Sequence, residues 1–151
     1  MAMTPEEFMA RLNKIKKYIR SREFLTEVAE LARTIVVKRT RLGYGASEGI
    51  NDKFPLKPLS PGYVKHRKNR RPTGPSTPTK SNLTYTGDML NAVEYKIQQL
   101  KITIGIFDPQ EAEKAFWNLL NDREFLALTL AEKKQIANFI RKKIADMLKG
   151  K

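Results

Sequence analysis

Over roughly the first forty positions, apolar residues recur at helical spacing in two stripes that differ in phase. Phe8, Leu12, Ile15 and Ile19 follow one another at intervals of four, three and four, so they share one helix face, while Arg11, Lys14, Lys16 and Lys17 fall largely elsewhere. Thr4-Pro5-Glu6-Glu7 precedes them with the chemistry of a helix start. Thr4 can cap, Pro5 suits the first helical position, and Glu7 is placed to close a capping box. Near Ser21 the phase changes, and Phe24, Leu25, Val28, Leu31, Ala32, Ile35 and Val36 form a second, more apolar stripe. The pattern predicts a long N-terminal helix from about Pro5 to about Lys38, kinked or broken near Ser21. Gly43, Gly45 and Gly49 then require a loop.

Further on, the period shortens from helical to alternating. Val93, Tyr95 and Ile97 occupy alternate positions, as do Ile102, Ile104 and Ile106, with Gln98-Gln99-Leu100 between the two runs. An antiparallel hairpin at about 92–107 is expected, each triplet lining one face of its strand. Asp108-Pro109-Gln110-Glu111 repeats the helix-start device, with Glu111 in the capping-box position, and predicts a short helix from about Pro109 to Leu120. Thr129-Leu130-Ala131-Glu132 repeats it again, opening a terminal helix. Ile136, Phe139, Ile140, Ile144, Met147 and Leu148 give that helix an apolar face, and Lys133, Lys134, Arg141, Lys142 and Lys143 make it basic. The fold class is α+β in a single domain spanning residues 1–151, with a long N-terminal helix, a small antiparallel sheet, a short helix and a basic C-terminal helix.

Charge adds a second layer. Lys and Arg number 29 against 16 Asp and Glu, a net charge of +13 that suits a polyanionic neighbour, either nucleic acid or an acidic protein surface. From Lys57 to Lys80 there are seven basic residues, five of the eight prolines and no acid, so seven of the thirteen net charges sit in one segment. Self-repulsion and proline favour an extended, exposed arm at about 64–82, able to lie on phosphates or on an acidic partner. The contact residues expected from this pattern are Lys65, Arg67, Lys68, Arg70 and Arg71 in the arm, with Arg141, Lys142 and Lys143 on the last helix.

No constellation for covalent chemistry emerges, and the reading is of a protein that is not an enzyme. There is no cysteine, which excludes disulfides, thiolate metal sites and a Cys nucleophile. His66, the only histidine, lies in the basic segment without a nearby acid and is expected on the solvated surface. No metal site and no cofactor is expected. Gly43, Gly45 and Gly49 lack the following Gly-Lys-Ser/Thr of a phosphate loop. Glu6 with Glu7 and Glu111 with Glu113 are first-turn acids that complement helix dipoles. Phe116 and Trp117 are expected as core anchors. Part of the first apolar stripe is expected either in the core or between subunits. The N-terminal residues have no signal-peptide character and no run is long enough to span a bilayer, so a soluble protein without membrane contact is expected.

Three stretches carry a resemblance to a known family. Ile35-Val36-Val37-Lys38-Arg39-Thr40 running into Gly43-Tyr44-Gly45 and then Phe54-Pro55-Leu56-Lys57-Pro58-Leu59-Ser60-Pro61-Gly62-Tyr63 forms the first. Leu83-Thr84-Tyr85-Thr86-Gly87-Asp88-Met89-Leu90 forms the second. Ala115-Phe116-Trp117-Asn118 followed by Arg123-Glu124-Phe125-Leu126-Ala127-Leu128-Thr129 forms the third. In order and spacing, over roughly residues 35–149, these are similar to the tail-completion, neck and virion-morphogenesis proteins of tailed bacteriophages. Asn121-Asp122 stands where that family commonly has a glycine, and Ala127 replaces a second one.

The resemblance implies a virion protein assembled in the host cytoplasm as a hexameric or dodecameric ring at the neck. There it would act as tail terminator or head-tail joining protein between the head connector and the tail tube. Its implied partners are further copies of itself, the connector or adaptor and tail-tube or tail-terminator proteins, with non-specific contact to genomic DNA in the channel. The competing reading is a small basic nucleic-acid-binding module of cellular origin, using the same arm on phosphates.

Overall fold

The computed structural model describes residues 3–69, 79–84 and 87–150. The N-terminal stripe divides into two helices, α1 (Pro5–Ile19) and α2 (Arg22–Arg41). Thr4 and Glu7 form the expected capping box at the start of α1. The break falls at Ser21, whose hydroxyl accepts from the Phe24 N–H and caps α2. The phase change in the sequence therefore marks a new helix start.

A short ladder, β1 (Tyr44–Gly45) with β2 (Phe54–Pro55), forms within and just after the glycine loop. A side chain at Gly45 would collide with the Glu124 carbonyl oxygen, so only glycine lets the backbones approach here. The adjacent Ala46 N–H donates to that same oxygen at 3.1 Å.

Next come α3 (Pro61–Asn69) and the single turn α4 (Asp88–Asn91), entered through Gly87 at φ 90. The hairpin then appears as β3 (Val93–Gln98) and β4 (Lys101–Ile106). Its register pairs Val93 with Ile106, Tyr95 with Ile104 and Ile97 with Ile102, which puts the two expected triplets side by side. The turn is one residue tighter than the sequence suggested: Gln98 pairs with Lys101, and Gln99 turns the chain at φ 54.

Helices α5 (Pro109–Leu120) and α6 (Leu130–Leu148) complete the chain, which is α+β in class. Asp108 caps α5 by accepting from Gln110 and Glu111 N–H. Glu111 does not reach back to complete a box; its carboxylate pairs with Lys114 at 2.6 Å. At α6 the Thr129–Glu132 capping box forms in full.

α2 lies against both hairpin strands, and its end enters a core of Val36, Met89, Leu90, Val93, Ile106, Ala115 and Phe125. Each fully buried Val, Leu or Phe there contributes about 1.5–3 kcal/mol. The polar end of α2 is also sealed. Arg39, only 4% exposed, pairs with Glu132 at 2.5 Å and donates to the Phe125 and Ala127 carbonyls. Burial pulls the Arg39 pKa down while Glu132 holds it up. Glu132 thereby serves the cap of α6 and the charge on α2 together.

Helix α6 contributes no fully buried residue. It is fixed by the Arg39 clasp, by backbone bonds from Leu130 and Ala131 to Ile50 and Asn51, and by Lys143 paired with Glu27 at 2.7 Å. Arg11 on α1 donates to the Leu148 carbonyl at 2.6 Å. Among the described residues no helix is long and apolar enough to cross a membrane.

Candidate functional site

The segment expected to be an extended arm at about 64–82 is folded where the structure describes it. Residues 61–69 are helical: the Ser60 hydroxyl accepts from the Tyr63 N–H at 3.3 Å, and its carbonyl accepts from Val64. Ser60-Pro61 is the same pairing of capping residue and first-turn proline as Thr4-Pro5 and Asp108-Pro109. That local signal was available in the sequence. It was hidden because α3 carries no apolar stripe. Beyond the helix, Ser81 donates to the Lys57 carbonyl at 2.6 Å, and buried Thr84 donates to buried Asn82 at 2.6 Å. The chain at 80–84 is thus fastened to the fold.

The expected contact residues separate accordingly. Lys65 and Lys68 are exposed on α3. Arg67, expected to be exposed, is 2% exposed; it donates to the Lys80 carbonyl at 3.3 Å and lies 5.8 Å from the Tyr63 ring. The reason is a partner from further along the chain: the returning segment at Lys80 brings an acceptor over the helix to the guanidinium. Arg70 and Arg71 lie outside the described residues. On α6, Arg141 and Lys142 are exposed, Arg141 donating to Asn138 at 3.0 Å. Lys143 is instead committed to Glu27, which raises the ammonium pKa and lowers that of the carboxylate. His66 is exposed and stacked on Tyr63, with ring centroids 6.3 Å apart.

A cleft of about 690 Å³ lies beside α3. Its walls include Lys57, Leu59 and Tyr63 from one part of the chain, Leu83 and Met89 from a second, and Asn118 and Arg123 from a third. Arg123 reaches within 3.5 Å of the Lys57 and Pro58 carbonyls, and Lys57 lies 3.4 Å from the Asp122 carboxylate. These contacts tie the third segment to the first. Asn118 donates to the Lys114 carbonyl at 2.9 Å and lies 3.7 Å from the Met89 sulfur, tying the third to the second. The cleft is basic and partly apolar, and among the described residues that line it none pairs a nucleophile with a base. Among the described residues no group of three His, Asp or Glu side chains could hold a metal.

The other prominent surface is apolar. Phe116 and Trp117, expected in the core, are 55% and 57% exposed, and Leu119 and Leu120 on the same helix are also exposed. The inward face of α5 is formed by small or polar residues, with Ala115 buried, Ala112 half-buried and Asn118 against Met89. Phe116 and Leu119 flank this face, lining a small cavity with Phe125 and Leu126, and stay exposed there. On α1, Ile15 alone of the expected stripe is buried, and Phe8, Met9 and Leu12 remain exposed. Comparisons with protein-family models, curated proteins and solved structures gave no match.

Proposed function

We propose that this chain is a non-enzymatic structural protein of a tailed-bacteriophage virion, a subunit of the neck or tail-completion ring between head connector and tail tube. The observation that carries the reading is the convergence just described. The three stretches that resemble the family are separated by tens of residues, yet they meet around one cleft through Arg123, Lys57, Asn118 and Met89. Two backbone positions agree with the same pattern. Gly87 of the second stretch sits at φ 90, where glycine is favoured. Within the Asn121-Asp122 pair that stands where the family commonly has a glycine, Asp122 adopts φ 59, a left-handed conformation that Asp tolerates better than most residues. The substitution keeps the turn.

Exposed apolar surface on α1 and α5 gives such a subunit something to bury against neighbours. A net charge of +13 fits a position beside packaged genome. The test is co-expression with the head-connector and tail-tube proteins of the same virion, followed by native mass spectrometry at moderate salt. Recruitment into a closed ring of defined copy number is the expected result.

The second reading, a cellular nucleic-acid-binding module, draws on the exposed Lys65, Lys68, Arg141 and Lys142. A chain that ignores virion partners and binds free DNA with a steep salt slope would replace the first reading with this one.

A further inference from the structure

Charge is distributed unevenly between the two exposed apolar helices. Residues 108–124, which contain α5, carry five acids and two bases, a net charge of −3 in a chain of +13. Residues 3–22, which contain α1, carry six bases and two acids. On α5, Glu113, Phe116, Trp117 and Leu120 follow at intervals of three, one and three, so they form a single ridge. On α1, Phe8, Met9, Leu12 and Lys16 do the same. All eight of these residues are exposed. Neither Glu113 nor Lys16 has an ion-pair partner among the described residues.

The placement of the two helices matters. Arg11 bonds the last carbonyl of α6, while Glu27 joins Tyr18, one turn and more further along α1, to Lys143, earlier on α6. The two helices are therefore antiparallel, and the first turn of α1 runs past Leu148. α5 packs on α4 and β4 instead. α1 packs on α6 and α2, and both ridges remain exposed, so neither covers the other within a chain.

We infer that the α5 ridge of one copy docks antiparallel on the α1 ridge of a second copy, with Glu113 facing Lys16. Trp117 and Phe116 then lie on Leu12, and Leu120 on Phe8 and Met9. The lengths agree: Glu113 to Leu120 spans about 10 Å of helix and Lys16 to Phe8 about 12 Å. A parallel arrangement would put Glu113 on Phe8 and leave Lys16 against Leu120. Because two different surfaces meet, the contact is head-to-tail, and repetition closes into a ring or continues as a filament. The contact rests on the ring reading only for closure; the pairing of the two ridges stands on their charge and shape.

Trp117 is the only tryptophan, so intrinsic fluorescence reads this contact directly. The experiment is a concentration series of the full chain, followed by emission, acrylamide quenching and sedimentation velocity. Assembly should shift the emission to the blue and protect Trp117 from quencher. Glu113→Lys or Lys16→Glu alone should weaken assembly about tenfold or more by setting like charges together, and the two combined should restore it. Leu42→Ser, at an exposed apolar position on neither ridge, should leave assembly unchanged.

Failure to assemble at any concentration overturns the contact. So does assembly that leaves Trp117 open to quencher, or a double variant that stays as weak as the singles. Rings formed with virion partners while Trp117 remains quenchable would overturn this contact and leave the neck reading intact. Trp117-buried chains that no virion protein recruits would do the reverse.

Discussion

Helices α2 and α5 are similar in apolar content and opposite in fate. Nine of twenty residues in α2 and six of twelve in α5 are apolar, yet α2 buries Phe24, Leu25, Val28, Ala29, Ala32 and Val36 and α5 buries only Ala115. The difference lies in which residues face the hairpin. α2 turns its large side chains inward, against β3 and β4. α5 offers small residues to the core and its large ones to the surroundings, so the same composition completes a core in one helix and leaves an exposed apolar ridge in the other.

The comparison breaks most severely at the sealed end of α2. Arg39→Ala leaves Glu132 and two carbonyls without their buried cation and should cost about 3–5 kcal/mol, seen as a fall in the urea midpoint with an unchanged slope. Next, Leu90→Ala removes a fully buried core side chain beside α2 and should cost about 2–5 kcal/mol in the same titration. Thr129→Ala removes the α6 cap and should cost about 1 kcal/mol, with Ser restoring most of it.

By contrast, Trp117→Ala on α5 should change folding stability by no more than about 0.5 kcal/mol, because the ring is largely in solvent already. If its cost matches that of Leu90→Ala, the contrast between the two helices fails. The smallest expected effect is at the Glu27–Lys143 clasp. The depressed Glu27 pKa stabilises the fold above the ordinary glutamate range, a contribution lost as pH falls through the depressed value. The raised Lys143 pKa adds a contribution that is full below the ordinary lysine value and lost as pH rises through the raised one. Melting temperatures of the native chain and Glu27→Gln should therefore differ at neutral pH and converge in acid.

Local chemistry made much of this fold legible. Thr4, Asp108 and Thr129 each mark a helix start that a short side chain can cap, the phase change near Ser21 marks the break between α1 and α2, and the alternation of Val93, Tyr95 and Ile97 marks the hairpin, whose register the two-residue turn decides. What stayed hidden depends on non-local partners. Arg67 reads as a solvated cation until Lys80 returns over it, and α3 has a start signal without a stripe. Phe116 and Trp117 read as core because large aromatic side chains are usually buried, and the sequence does not say which face of α5 turns inward. The ridges were therefore invisible in the sequence, although the bases and acids that flank them were not.

The Arg39–Glu132 clasp also carries a consequence for the order of events in folding. Its partners are 93 residues apart in the chain, whereas each helix cap and the hairpin close within a few residues. Loop closure over that distance is entropically costly until intervening structure shortens the path, so the clasp belongs to a late step. It then acts mainly on the rate of leaving the native state: loss of Arg39 should accelerate unfolding far more than it slows refolding. A chain fastened in this way holds its shape by persistence, because the barrier to leaving the native state, and not only its depth, rests on the clasp.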